Sequence, residues 1–380
     1  MQKFRDPKRI GRVNSTPTIP ALIAQLLGCP NPKQVALQNP ELISYFLGNP
    51  NPKPIAPKNM DSTAYLLGAA SPKRMVPKPF GLPLGSRRAY VVPHFRTFLS
   101  NLKLTQNERA DALIKADNIG RRLHAKYYSG PYEPKNRIIV GSYGKNTAIR
   151  PPTDIDILYV LPISEYYKIK TLSGNVQSQL LQEIKKVLGQ RFSQTDLNAD
   201  GQVVKAPFYS YPAEVVPAFR YRDNTFITCH TANGGSWRLS NPIAEYKAIA
   251  DLDAKYANKA THLIRMLKAW KRACNVPLKS IILEIAACSF LTQWPNSKQP
   301  ILWYDWMVRD FFAYLWRFRN GEAHIPGINE SIDLGDQWAS KCETAYLRAV
   351  KACRYEYLNF RIPAEDEWKK IFGDQFSRAN

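Results

Sequence analysis

Asp154 and Asp156 stand two residues apart at the start of Ile155-Asp156-Ile157-Leu158-Tyr159-Val160-Leu161, a run whose β-branched and aromatic residues predict a strand. Residues i and i+2 of a strand point to one face, so both carboxylates face one way while Ile155 and Ile157 face the other. Convergent carboxylates suit a hard divalent cation. Phosphoryl transfer from a nucleoside triphosphate needs such cations, commonly a pair about 3.5 to 4 Å apart, to neutralise the phosphate oxygens. Upstream, the apolar stretch Ile138-Ile139-Val140 runs into Gly141-Ser142. There, backbone N–H groups and the Ser142 hydroxyl can reach a triphosphate with no Cβ in the way. Lys145 either adds charge to that cradle or is an ordinary solvated loop lysine. The third carboxylate is expected from Glu214, which opens the apolar strand Glu214-Val215-Val216-Pro217-Ala218-Phe219. Asp223 and Glu245 are weaker candidates, because neither sits in an apolar strand. A lone Gly-Ser or Asp-x-Asp pair says little; their order and strand context carry the signal.

The elements that must position these residues are legible in outline. Thr105-Gln106-Asn107-Glu108 is a capping box that opens a helix running to about Ala125. Strands are expected at Arg137 to Val140, Ile155 to Leu161, Val203 to Pro207, Glu214 to Phe219 and Thr225 to Thr228, with a turn at Gly141 to Lys145 and a helix from Gly174 to Leu188. Residues 88–240 thus read as a mixed α/β catalytic domain. Residues 241–380 read as a helical domain completing the nucleotide pocket. Its helices are expected at Pro242 to Ala257, Lys259 to Cys274, Ser280 to Gln293, Asp305 to Phe318 and Gln337 to Arg354. Tryptophans and tyrosines at helical spacing along them read as core packing.

Residues 1–87 differ in kind. They are proline-rich and basic, and no helical or alternating period persists, which predicts an extended or disordered segment. Within it Leu26-Leu27-Gly28, Phe46-Leu47-Gly48 and Leu66-Leu67-Gly68 recur in register, each followed by Pro-Lys at Pro32, Pro52 and Pro72. Prolines interrupt each unit and leave too little apolar surface for a stacked solenoid. The segment reads either as a tether with three copies of a short motif or as translated upstream DNA.

The formal charge of +22 across 380 residues points to polyanionic company, either nucleotides or nucleic acid, with solubility as the plainer alternative. The six cysteines form no CxxC pair and read as reduced and structural, without a zinc site. There is no apolar run long enough to cross a membrane and no secretory h-region, so a cytoplasmic protein is expected.

Gly141-Ser142-Tyr143-Gly144-Lys145-Asn146-Thr147-Ala148-Ile149 with Thr153-Asp154-Ile155-Asp156-Ile157 resembles the signature of the DNA polymerase β-like nucleotidyltransferases, specifically the cGAS/DncV-like group (CD-NTases). Glu214 to Phe219 resembles the third-acid strand of that group. Leu263 to Trp270, followed by Leu278-Lys279-Ser280 and Glu284, is similar to its helical domain. The resemblance spans residues 88 to about 370. It implies a polymerase β-like α+β fold with a mixed sheet and a helical C-terminal domain. It also implies Mg²⁺ or Mn²⁺, two ions per site, held by Asp154, Asp156 and Glu214, and a triphosphate bound by Gly141, Ser142, Lys268 and Ser280. Read from the residues alone, Lys268 is equally a snorkelling surface lysine and Ser280 a helix N-cap.

The family more usually carries aspartate at the third position, and the extra methylene of Glu214 displaces the carboxylate by roughly 1.5 Å. The implied activity is condensation of NTPs, ATP among them, into a cyclic or short linear oligonucleotide. That product activates a separate effector in CBASS-type antiphage defence, with an activating RNA or DNA on the basic surface as a further partner. The rivals are nucleotide addition to an RNA end and a non-catalytic nucleic-acid sensor.

Overall fold

The computed structural model describes residues 84–190, 198–222 and 224–376. The repeated segment and Asp223 lie outside them. The helices are α1 (Leu84–Leu102), α2 (Gln106–Tyr127), the single turn α3 (Gly141–Gly144), α4 (Ile163–Lys170), α5 (Val176–Gly189), α6 (Pro242–Tyr256), α7 (Lys259–Ala273), α8 (Ser280–Gln293), α9 (Tyr304–Leu315), α10 (Ala339–Tyr357) and α11 (Arg361–Phe372). The strands are β1 (Arg137–Ile139), β2 (Ile155–Leu161), β3 (Asn198–Asp200), β4 (Val203–Ala206), β5 (Ala213–Arg220), β6 (Phe226–His230), β7 (Ser236–Ser240), β8 (Glu322–His324) and β9 (Ser331–Asp333).

β5 is the spine of a mixed sheet. β2 runs parallel to it along one edge, from Ile155 opposite Ala213 to Leu161 opposite Phe219. Its other edge is shared: antiparallel β4 pairs with the first half and antiparallel β6 with the second. Pro217 has no N–H to give, and it falls between the stretches that β4 and β6 occupy, so a proline is tolerated inside a central strand. β1 completes the sheet beside β2, and β3 and β7 extend its outer edges.

Alternation along the central strands sorts the sheet's two faces. Ile155, Ile157, Tyr159, Val215 and Phe219 enter one core with Ala112, Ala116, Ile119 and Leu123 of α2 and Leu180, Ile184 and Leu188 of α5. Asp156 and Glu214 therefore lie on the opposite face. α2 is fixed at its start by the expected capping box: the Glu108 N–H donates to Thr105 Oγ1, and Glu108 accepts from the Thr105 N–H.

The second core is helical. It joins Leu263, Ile264, Leu267 and Trp270 of α7, Ile282, Leu283 and Phe290 of α8, Phe311 and Phe312 of α9, and Trp368 and Phe372 of α11. Helix α8 is apolar nearly all round and is correspondingly buried on most sides. Val91, Phe95, Phe98 and Leu102 of α1 belong to this core too. Residues 88–102, which the sequence reading places with the catalytic domain, thus pack into the helical one despite coming first in the chain. Cys229, Cys274, Cys288, Cys342 and Cys353 are free thiols, and no described helix is long and apolar enough to cross a membrane.

Candidate active site

The Gly-Ser turn is pressed directly against Asp156. β1 ends at Ile139, and the Val140 N–H donates to the Asp156 carbonyl at 3.0 Å, so the turn starts where the Asp-x-Asp strand dictates. Gly141 has φ +58°, and a Cβ built on it would stand 1.8 Å from Asp156 Oδ2. Any side chain there would occupy the space of the carboxylate. The expected irregular turn is in fact a single helical turn, closed by Gly144 N–H to Val140 O and Lys145 N–H to Gly141 O. The Ser142 carbonyl accepts from both Thr147 and Ala148 N–H, which folds the following loop back beneath the turn.

Asp154 immediately precedes β2, and Glu214 is the parallel-register partner of Asp156 across β5. The two neighbours therefore project side by side from one face. Burial, followed by the charges of Asp154 and Glu214, pushes the Asp156 carboxyl up to about 7, against smaller opposing effects of Lys145 and Lys268. Glu214 also engages Lys205 of β4, whose Nζ lies 2.7 Å from Oε1. The hydrogen bond to Glu214 and its charge raise the Lys205 ammonium above its usual range. Glu245, the alternative third acid, is on α6 and pairs with Lys145 at 2.7 Å.

The helical half reaches the turn through a buried ionic cluster. Lys145, read from sequence as most simply a solvated loop lysine, is instead buried and bridges Glu245 at 2.7 Å and Glu284 at 2.6 Å. Lys268 is only 8% exposed, which rules out the snorkelling alternative. It donates to Glu284 Oε1 and to Thr147 Oγ1, each at 2.7 Å. Burial would raise the Glu284 carboxyl, but Lys268 and Lys145 outweigh it and hold the group at about 2.

Ser280 is the first helical residue of α8, with Lys279 at the cap, so it is not the N-cap. Its hydroxyl accepts from Lys271 at 3.3 Å. Asn146 adopts the left-handed conformation at φ +56°. Its carbonyl takes Arg265 Nη2 at 2.8 Å, while its side-chain oxygen takes Arg109 from α2. Sequence reasoning thus missed Lys145, Thr147, Glu284 and Arg265 as a connected group, and Lys205 altogether. The first four meet only through tertiary contacts, but Lys205 carried a signal: it is the polar position between Val204 and Ala206 on an alternating strand.

A family model for the Second Messenger Oligonucleotide or Dinucleotide Synthetase domain matches residues 90–253, a span that contains the turn and all three acids. A probable cyclic nucleotide synthase of Bacillus cereus strain VD146 is 23% identical over 286 residues, covering 64% of this chain and 83% of the relative. Across that span the chain is similar to the cGAS/DncV-like nucleotidyltransferases. Solved CD-NTases share its fold. Vibrio cholerae DncV cyclic AMP-GMP synthase, in complex with the linear intermediate pppA(3′,5′)pG, has a TM-score of 0.58 at 12% identity, covering 76% of this chain and 97% of that one. Escherichia coli MS115-1 CdnC with ATP has a TM-score of 0.56 at 16% identity, covering 76% and 99%.

Asp154, Asp156 and Glu214 would offer oxygen donors alone: Glu214 is in register with Asp156, and the charges of Asp154 and Glu214 both act on it. Oxygen donors of this kind, one of them buried beside two further acids, fit a hard divalent cation. A separate group brings Asp305, Cys353 and Glu356 within 4.8 Å of one another. It lies on α9 and α10 in the helical half, where Glu356 accepts from Trp368 Nε1 at 2.7 Å, and it includes none of the expected ligands.

Proposed function

We propose that this chain condenses nucleoside triphosphates, ATP among them, into a cyclic or short linear oligonucleotide second messenger with release of pyrophosphate. The observation that carries this reading is the contact between Gly141 and Asp156, with Glu214 in register beside them. A bare backbone turn lies directly against clustered carboxylates, which is the arrangement phosphoryl transfer needs. Asp154, Asp156 and Glu214 would hold Mg²⁺ or Mn²⁺, two ions in all, whose contribution is to neutralise the triphosphate oxygens and the departing pyrophosphate.

The chain's own groups do the rest. The Gly141 and Ser142 backbone and the Ser142 hydroxyl hold the donor phosphates. Glu214 accepts the proton of a ribose hydroxyl on the second nucleotide. That hydroxyl oxygen forms the new bond to the α-phosphorus as the bond to pyrophosphate breaks. Lys268 and Ser280 face the triphosphate from the helical half. A second condensation closes the ring, in keeping with the linear intermediate bound to the V. cholerae relative. The product is read as a signal to a separate effector in antiphage defence in the cytoplasm.

The test is incubation of the purified protein with four radiolabelled NTPs and Mg²⁺ or Mn²⁺, with and without RNA, beside an Asp154→Ala, Asp156→Ala control. A small phosphatase-resistant product absent from the control is the expected result. Label found only on added RNA would replace this reading with end addition, and a complete lack of product would favour a nucleic-acid sensor.

A further inference from the structure

One line across three strands carries Asp156 of β2, Glu214 of β5 and Lys205 of β4, each in register with the next. Adjacent strands lie about 4.8 Å apart, so neighbours in such a row are within side-chain reach. Lys205 Nζ takes Glu214 Oε1 at 2.7 Å, and the charges of Asp154 and Asp156 act on the same ammonium. Val204 and Ala206 are buried on either side of it, while the Lys205 side chain stays 52% exposed. The lysine therefore contributes little to the core, and its partners are the acids. The other two cations acting on Asp156 differ, since Lys145 and Lys268 are neutralised by Glu245 and Glu284.

We infer that Lys205 is an internal counter-ion of the acid row, competing with the divalent cation for Glu214 and so setting how tightly the site takes metal. The glutamate makes this competition feasible. Its extra methylene, roughly 1.5 Å of added reach, lets one carboxylate serve either the lysine on the next strand or a cation shared with Asp154 and Asp156. The inference rests on reading Glu214 as the third ligand, and the experiment separates the two.

Mn²⁺ alone is titrated into the full chain without nucleotide, by calorimetry and by the electron paramagnetic resonance signal of the free ion. The proteins are wild type, Lys205→Met, Glu214→Gln and the double variant. Glu214→Gln is expected to weaken Mn²⁺ binding; if it does not, Glu214 is not a ligand and the underlying reading fails. Lys205→Met is expected to tighten binding on the order of two- to fivefold, the range of a partly exposed ion pair. That gain should vanish in the Glu214→Gln background. Unchanged or weaker binding by Lys205→Met overturns the inference. An equal gain in both backgrounds also overturns it, because the lysine would then act through its field and not through Glu214.

Discussion

Gly141 is constrained twice: its φ of +58° favours glycine, and a Cβ would lie 1.8 Å from Asp156 Oδ2. Gly141→Ala should therefore displace the carboxylate while leaving both hydrophobic cores intact. Turnover is expected to fall by about 100-fold, the scale of a misplaced reacting group, with the thermal unfolding transition preserved. Gly144 is a different case, since its Cβ would meet the Ile139 carbonyl at 2.4 Å. Glu214→Gln keeps the shape and removes the charge. It should lose most activity in the NTP assay, and near-normal turnover would mean that another acid serves as base. The strand that carries Asp156 was legible from sequence because strand periodicity is local. Lys145 was not, because its burial depends on Glu245, 100 residues away, and on Glu284 in a third element.

The elements repeat that division between local and distant causes. The α2 capping box and the span of α8 were readable, since caps and apolar runs are written in neighbouring residues. Helix α1 was missed although Val91, Phe95, Phe98 and Leu102 keep helical spacing, because Pro93 inside it reads as a breaker. The joint between α7, α8 and the loop after the Gly-Ser turn is where packing meets chemistry, and Glu284 is its hub. Burial opposes its charge, but Lys268 and Lys145 hold its carboxyl at about 2, below the ordinary value near 4.5. A group whose folded value is depressed stabilises the fold above its unfolded value, and that stabilisation is lost as pH falls from about 4.5 towards 2. Glu284→Gln leaves buried ammonium groups undercompensated and should cost about 3 kcal/mol near neutral pH. Thermal melts between pH 6 and pH 3 should show wild type losing stability more steeply than the variant on acidification. Parallel curves would place the acid-sensitive group elsewhere.

For the whole molecule, the candidate site draws on elements of both cores. The sheet supplies the acids, and the helical half grips the loop beneath the Gly-Ser turn through Arg265, Lys268 and Glu284. Within that joint Lys145 and Lys268 are matched by Glu245 and Glu284, so most of the net charge of +22 resides elsewhere. Some of it stands on the helices that cover the opposite face of the sheet, where Lys126 of α2 and Lys186 of α5 are exposed beside Arg121, which reaches Asp117 at 3.7 Å. A cationic surface behind the catalytic face suits a nucleic-acid backbone bound without base recognition. Short duplex DNA or RNA should therefore bind irrespective of sequence, and log K should fall linearly with log salt between 50 and 200 mM in fluorescence anisotropy, the signature of counterion release. Reversing Arg121, Lys126 and Lys186 to glutamate should weaken binding and lower the salt slope by about 1 for each phosphate no longer neutralised. Because these residues lie across the sheet from Asp156, the variant should keep its unstimulated NTP turnover. Loss of that turnover together with binding would instead place the polyanion in the acid cleft, as nucleotide addition to an RNA end requires.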